Sequence, residues 1–125
     1  MLNDSYADLA HRYEVYCHEN EAMAHVWDFY LQFAKTLVLK CQWRDAAAAC
    51  IRTQDRERAQ EMVEVAQKNS LALEALRKAW HHVWFSTNKP YGYEVIDLRM
   101  GGIIARFNSA EVRMAAFAAG DINDI

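Results

Sequence analysis

Apolar residues recur at intervals of three and four along most of the chain, which is the spacing of amphipathic α-helices. In the N-terminal part this pattern predicts a helix from about residue 4 or 5 to about residue 17, and a long helix from Glu21 to about Ile51. Residues 18–20 form the expected break. The first apolar series comprises Leu2, Tyr6, Leu9, Tyr13 and Tyr16. The second comprises Met23, Trp27, Tyr30, Ala34, Leu37, Cys41, Ala48 and Ile51.

The second half of the chain contains two longer apolar series, each with heptad spacing. Asp55 follows a polar joint and is a suitable N-cap for the first of these helices. That helix carries Met62, Ala66, Asn69, Leu73, Leu76, Trp80 and Val83. The next carries Ile96, Met100, Ile103, Phe107, Ala110, Met114 and Phe117. Heptads of this length predict long antiparallel helices, and the polar Asn69 is expected to fix their register.

No segment shows the alternation of a β-strand. We therefore predict an all-α fold, an antiparallel bundle of three long helices plus a shorter N-terminal helix. The length fits a single domain over residues 1–125. Gly120 is expected to end the last helix, leaving residues 121–125 as a flexible tail.

Residues 84–106, WFSTNKPYGYEVIDLRMGGIIAR, contain the only proline and three of the four glycines. Residues 89–92, Lys-Pro-Tyr-Gly, predict a turn, because proline presets the backbone of its second position and glycine suits the fourth. Asn88 is expected to end the preceding helix in a left-handed cap. Glu94 and Asp97 would then lie in the first turns of the next helix, where the helix dipole favours negative charge.

Charge and composition exclude several classes of protein. The net charge is −3 and no run of Lys or Arg is present, which argues against nucleic-acid binding. The longest apolar stretch has about six residues, far fewer than the roughly 20 of a membrane span. The three cysteines, Cys17, Cys41 and Cys50, lie within helical patterns and favour reduced, buried thiols in a cytoplasmic protein.

The histidines offer two candidate sites, and neither is convincing. His11, His18 and His25 recur every seven residues, but a metal site needs ligands that converge from several elements, so we predict no metal and no cofactor. His81 and His82 point to different faces of their helix, and one of them is expected to be partly buried. No group is visible that would orient either of them as a catalytic base, so we predict no catalytic residue.

Arg99, Arg106 and Arg113 also recur every seven residues, beside a Gly101-Gly102 pair. Each glycine within a helix costs about 1 kcal/mol relative to alanine, so close approach of another group to the backbone is expected. This group is either another helix of the domain or a partner at an interface. The interface or pocket-edge candidates are Trp84, Asn88, Pro90, Tyr91, Tyr93, Arg99, Gly102 and Arg106.

The same stretch resembles a known family. The matching residues include Trp84, Asn88-Lys89-Pro90, Gly92, Glu94-Val95-Ile96-Asp97, Arg99, Gly101-Gly102 and Arg106, followed by a helix that ends in AAGDINDI. They resemble the C-terminal helical region of a bacterial group of family-20 glycoside hydrolases, the β-N-acetylhexosaminidases. The resemblance is best over residues 84–125 and looser back to about Tyr30.

The resemblance implies a role in a larger enzyme. In that family an aspartate orients the acetamido group of the substrate and a neighbouring glutamate protonates the leaving oxygen, both on a (β/α)₈ barrel of about 250 residues. This chain has neither the length for a barrel nor a matching Asp-Glu pair. It would be an accessory domain that docks on the barrel or on a partner subunit, and it would meet the amino-sugar glycoside only through the full enzyme.

Two alternatives remain open from the sequence. The chain is either a C-terminal fragment of such a hydrolase or a free-standing helical interaction protein that forms a homodimer through residues 84–106. Whether the chain is an enzyme on its own is uncertain, because the resemblance is to part of a hydrolase that lacks the catalytic barrel.

Overall fold

The computed structural model describes residues 2–125, which form four α-helices and one short 3₁₀-helix and contain no β-strand. The elements are α1 (Leu2–Glu19), the 3₁₀-helix Glu21–Met23, α2 (Ala24–Thr53), α3 (Arg56–Thr87) and α4 (Tyr93–Ala119). The helices α2, α3 and α4 have 30, 32 and 27 residues, whereas α1 has 18. The predicted all-α fold with three long helices and a shorter N-terminal helix is therefore confirmed.

Each helix packs against the next one along the chain, so that the order in space is α1, α2, α3, α4. Within residues 2–125, the Cα atoms of α1 and α4 nowhere approach within 8 Å of each other. A closed four-helix bundle would bring its first and last helices together. This bundle is open on that side.

Hydrogen bonds across the helix pairs fix the antiparallel register. The buried Asn69 of α3 donates from Nδ2 to the carbonyl oxygen of Leu39 on α2, 3.4 Å away, and to its own helix at Val65, 2.9 Å away. Asn69 thus links α3 to α2, whereas its heptad position predicted a role in the register of α3 against α4. On the other side of α3, Ser70 donates to Asn108 of α4 at 2.8 Å.

The core consists of two clusters, and α3 contributes to both. One lies where α2 ends and α3 begins, and contains Cys50, Ala59, Met62, Met114 and Phe117. The other lies further along α3, and contains Leu73, Leu76 and Met100. The predicted apolar positions of α3 from Met62 to Leu76 are all buried.

The predicted buried face of α2 is partly wrong. Met23, Tyr30 and Ile51 are exposed, whereas Leu31 and Thr36 are buried. The reason is that α2 lies between α1 and α3 and so contacts neighbours on two sides, while a single apolar series describes one side only.

The helix ends follow local chemistry. The carboxylate of Asp55 accepts hydrogen bonds from the backbone N–H groups of Glu57 and Arg58, at 3.0 and 3.2 Å, and so caps α3. Gly120 ends α4 with φ of 88°, as expected. Two expected ends are corrected: α1 begins at Leu2, and Asn88 is extended, with φ of −118° and ψ of 160°, rather than left-handed.

The last residues pack on the first core cluster through Ile122 and Ile125, which are half-buried. Arg56 lies beside them: its Nη1 donates to the carbonyl oxygens of Phe117 and Ile122, and its guanidinium lies 4.5 Å from the centre of the Phe117 ring. The start of α3 is thereby tied to the end of α4.

The described cysteines are free thiols, and only Cys50 is buried. Cys17 and Cys41 are half-buried, so the expectation that all three are buried holds for one. None of the described helices combines the length and the hydropathy that crossing a membrane requires.

Candidate docking surface

The turn between α3 and α4 is held by Trp84. Its indole N–H donates to the carbonyl oxygen of Lys89 at 3.0 Å, and its ring lies 3.7 Å from where a Cβ at residue 92 would be. Gly92 has φ of 94°, a conformation that glycine adopts without strain. The Glu94 carboxylate accepts a hydrogen bond from the Gly92 N–H at 2.9 Å, which stabilises the start of α4. The turn is therefore well determined by local contacts.

We call this turn, together with Trp84 and Tyr93, the corner. Tyr93 supports it from inside, since it is only 2% exposed. Its hydroxyl donates to the carbonyl oxygen of Arg77 on α3 at 3.0 Å, and its ring packs against His81 and Phe85. Burial raises the pKa of the Tyr93 hydroxyl above its ordinary value. Tyr93 thus joins the two helices below the turn.

An ion pair continues this junction. Arg77 donates to both carboxylate oxygens of Glu74 at 2.8 Å and to Asp97 of α4 at 3.3 Å. The hydrogen bonds from Arg77 lower the pKa of Glu74.

The interface or pocket-edge candidates Asn88, Pro90 and Tyr91 lie in the turn and are exposed. The Tyr91 side chain is 85% exposed.

We call the solvent-facing stripe of α4 its outer face. It follows the spacing of three and four residues and consists of Val95, Leu98, Gly102, Ala105, Ser109 and Val112, all exposed. Leu98 and Val112 are 76% and 70% exposed. Nothing lies within 4 Å of the position that a Cβ would take at Gly101 or Gly102. Close packing inside the domain therefore does not explain this pair of glycines.

Arg99, Arg106 and Arg113 run along one side of the outer face. All three are exposed, and among residues 2–125 no carboxylate lies within ion-pair distance of them. Arg77, by contrast, has two carboxylate partners. The arginine row is thus an unneutralised positive strip on a chain whose net charge is −3.

A groove with a volume of about 840 Å³ lies on the open side of the bundle, and we call it the α1/α2/α4 groove. It is lined by Leu2, Tyr6, Leu37, Lys40, Cys41, Trp43, Arg44, Ala47, Ala48, Ile51, Ile103, Arg106, Phe107 and Ala110. The rings of Trp43 and Phe107 meet edge to face with their centres 5.3 Å apart. The groove was not predicted from the sequence, because most of its apolar residues belong to series that were expected to be buried. The signal in the sequence was the basic Lys40, Arg44 and Arg106 among those series.

The histidines are distributed over different helices. His25 of α2 and His82 of α3 face each other with ring centres 5.5 Å apart, while His11 and His18 lie exposed on α1. His81 and His82 are both exposed, so the expectation that one is partly buried is wrong. Across residues 2–125 no three His, Cys, Asp or Glu side chains are arranged to hold a metal ion.

The distinguishing features of this all-α domain are thus a rigid corner, a positive strip with an exposed apolar face, and an open groove. The chain belongs to the family described as the Glycoside Hydrolase 20C C-terminal domain, whose sequence model matches residues 1–125. The resemblance seen in residues 84–125 is therefore confirmed, and the match covers the whole chain. A search of curated proteins found no match.

Proposed function

We propose that this chain is the accessory C-terminal domain of a bacterial, cytoplasmic β-N-acetylhexosaminidase-like glycoside hydrolase. It docks on the catalytic barrel or on a partner subunit and is not catalytic alone. The observation that carries this proposal is the family match over all 125 residues. The amino-sugar glycoside binds to the barrel, which supplies both catalytic carboxylates.

The outer face of α4 supports the docking role. Leu98 and Val112 are large apolar side chains that water now surrounds, and the open backbone at Gly102 allows a partner to approach closely. Arg99 and Arg106 supply charges that an acidic partner would neutralise. In this arrangement Trp84 and Tyr93 keep the corner rigid while the exposed Asn88, Pro90 and Tyr91 contact the partner.

A homodimer is the second candidate, because the three-four spacing of the outer face would also fit a second copy of α4. Charge opposes it. If two α4 helices paired in antiparallel fashion along this face, equivalent flanks would meet and place Arg99 of one copy near Arg106 of the other. Like charges at such flanking positions disfavour pairing, so we assign the face to a different, acidic surface.

The test is reconstitution of hydrolysis. We expect the chain alone not to hydrolyse an aryl N-acetylglucosaminide, and we expect it to bind the catalytic region of the enzyme when the two are mixed. Light scattering measures the complex, and turnover measures its activity. Robust hydrolysis by the isolated chain that one carboxylate substitution abolishes would contradict the proposal, and so would failure of the two parts to associate.

Paired variants locate the contact. Replacing Arg99 and Arg106 by alanine is expected to weaken the complex, because two charges facing the partner are lost. Arg12→Ala is the control, because it removes an exposed arginine from α1, whose described Cα atoms nowhere lie within 8 Å of those of α4. If the isolated chain instead dimerises at micromolar concentration and Leu98→Ala abolishes the dimer, the second candidate replaces the first.

A further inference from the structure

The α1/α2/α4 groove exists because the bundle does not close. Between residues 2 and 125 no Cα atom of α4 lies within 8 Å of one in α1 or α2, and the space between α1 and α4 is left to solvent. The side chain of Phe107 reaches across to Trp43 of α2, and both rings line the groove. Leu2 and Tyr6 of α1 line it as well.

The groove leaves large apolar side chains in water. Leu2 is 57% exposed, Ile51 is 51% exposed and Ile103 is 39% exposed, and all three line it. A groove lined by such apolar side chains is the usual receptor for the apolar face of an amphipathic helix, and here they come from three helices. The shape therefore suits one additional helical segment.

The charges of the groove are of one sign. Its lining contains Lys40, Arg44 and Arg106 and no acidic residue, although the chain as a whole has 17 acidic and 14 basic residues. Arg44 is already paired with Asp45 at 2.9 Å, which leaves Lys40 and Arg106 without an ion-pair partner in the described part of the chain. A segment that fits this groove must therefore carry carboxylates beside its apolar face.

The position of Leu2 indicates where such a segment comes from. Leu2 is the first residue of α1, lines the groove and is largely exposed, so polypeptide joined before it would emerge beside the groove. Members of the matched family are C-terminal domains, and they follow another part of their enzyme. A preceding segment would thus be held near the groove at high effective concentration.

We propose that the α1/α2/α4 groove binds an acidic, amphipathic helical segment of the polypeptide that precedes this domain in the same enzyme. The apolar face of the segment covers Trp43, Ile51 and Ile103, and its carboxylates pair with Lys40 and Arg106. This inference rests on the proposed function, since it requires a preceding domain. It adds a second contact, which shares Arg106 with the arginine row beside the outer face of α4 and closes the bundle.

The thiol of Cys41 is a native reporter of this contact. Cys41 is half-buried in the isolated chain and lines the groove, while Cys17 is half-buried outside it. The experiment compares the rates of iodoacetamide labelling in the isolated chain and in the intact enzyme, resolved by mass spectrometry. We expect labelling of Cys41 to be at least tenfold slower in the enzyme and that of Cys17 to be unchanged.

Two substitutions in the intact enzyme complete the test. Ile51→Glu places a carboxylate against the acidic segment and is expected to restore fast labelling of Cys41. Leu71→Glu, at a position that is 72% exposed on α3 outside the groove, is the matched control and is expected to leave Cys41 protected. Both side chains are exposed in the isolated chain, so neither change should prevent folding.

The outcomes separate this inference from the proposed function. If Cys41 is equally reactive in both samples while α4 amides near Gly102 are protected from hydrogen exchange in the enzyme, the groove inference is wrong and docking through α4 stands. If neither region is protected, both are wrong. Protection of Cys41 that survives Ile51→Glu, or that depends on the concentration of the isolated chain, also overturns the inference, the latter by identifying a second copy as the occupant.

Discussion

The carboxylate of Asp55 caps the start of α3 at the junction with α2. Asp55 accepts two backbone hydrogen bonds at the start of α3, directly after Gln54, whose φ of 51° turns the chain. We expect Asp55→Ala to lower the free energy of unfolding by about 1 kcal/mol, because two N–H groups lose their acceptor. Urea denaturation measures the change. Asp45→Ala is the control, since Asp45 is exposed and pairs only with its neighbour Arg44; an equal effect of the two substitutions would contradict the capping role.

Burial of the Tyr93 hydroxyl is expected to make the domain less stable at alkaline pH. The pKa of Tyr93 is raised in the folded state by burial, so the unfolded chain loses this proton first as the pH rises. The corresponding stability is complete below the unfolded pKa of about 10 and is lost as the pH rises through the folded pKa. We expect Tyr93→Phe to cost about 1 kcal/mol at pH 7, through the lost hydrogen bond to Arg77, and to reduce the loss of stability above pH ~10.

Denaturation at several pH values measures this effect. Tyr91→Phe is the matched control, because the Tyr91 ring is 85% exposed. If the free energy of unfolding falls equally steeply above pH ~10 in wild type and in Tyr93→Phe, the buried hydroxyl is not the cause of the loss.

At the scale of the helix, two glycines within α4 lower its stability. Gly101 and Gly102 have open space where a side chain would lie, so alanine at either position is expected to raise the free energy of unfolding of the isolated chain by up to about 1 kcal/mol. In the assembled enzyme, Gly102→Ala is expected to weaken docking, since the added methyl group holds the partner away from the backbone. Denaturation of the isolated chain and the affinity of the complex give the two readouts.

Gly120→Ala is the control for these substitutions. Gly120 has φ of 88° at the end of α4, and alanine is strained there, so this change is expected to lower stability. Destabilisation of the isolated chain by Gly102→Ala would mean that the backbone of α4 is already packed, and would remove the reason to assign a partner to this face.

The helices differ in how far their sequence predicts them. In α3 the apolar series predicts the buried face correctly, because partners on both sides share that face, and Asp55 marks its start by a local interaction. In α2 the prediction fails at Tyr30 and Ile51, since α2 contacts α1 and α3 on two sides and a single apolar series describes only one of them. The α1/α2/α4 groove was missed for a different reason: divergence of two helices is a property of the assembled bundle. The extended backbone of Asn88 follows from the contacts of the turn, which residue preference alone does not determine.

For the molecule as a whole, α3 is the central element and α4 has two roles. One side of α4 completes the core through Met100, Met114 and Phe117, while its outer face and arginine row remain in solvent. In a domain without a binding partner, we would expect a large apolar side chain such as Leu98 to be buried or replaced by a polar one. The division of α4 into a core side and an unneutralised outer side is what an accessory domain needs, since it must fold and still offer a surface.

Two substitutions on α4 separate these roles. Phe117 is 1% exposed and packs in the first core cluster, so Phe117→Ala is expected to lower the free energy of unfolding of the isolated chain by about 3–5 kcal/mol. Leu98→Ala, on the same helix but 76% exposed, is expected to change it by less than about 0.5 kcal/mol and to weaken the complex with the catalytic region instead. Urea denaturation and titration of the complex measure the two effects. If Leu98→Ala destabilises the isolated chain as strongly as Phe117→Ala, the outer face belongs to the fold and the docking surface must lie elsewhere.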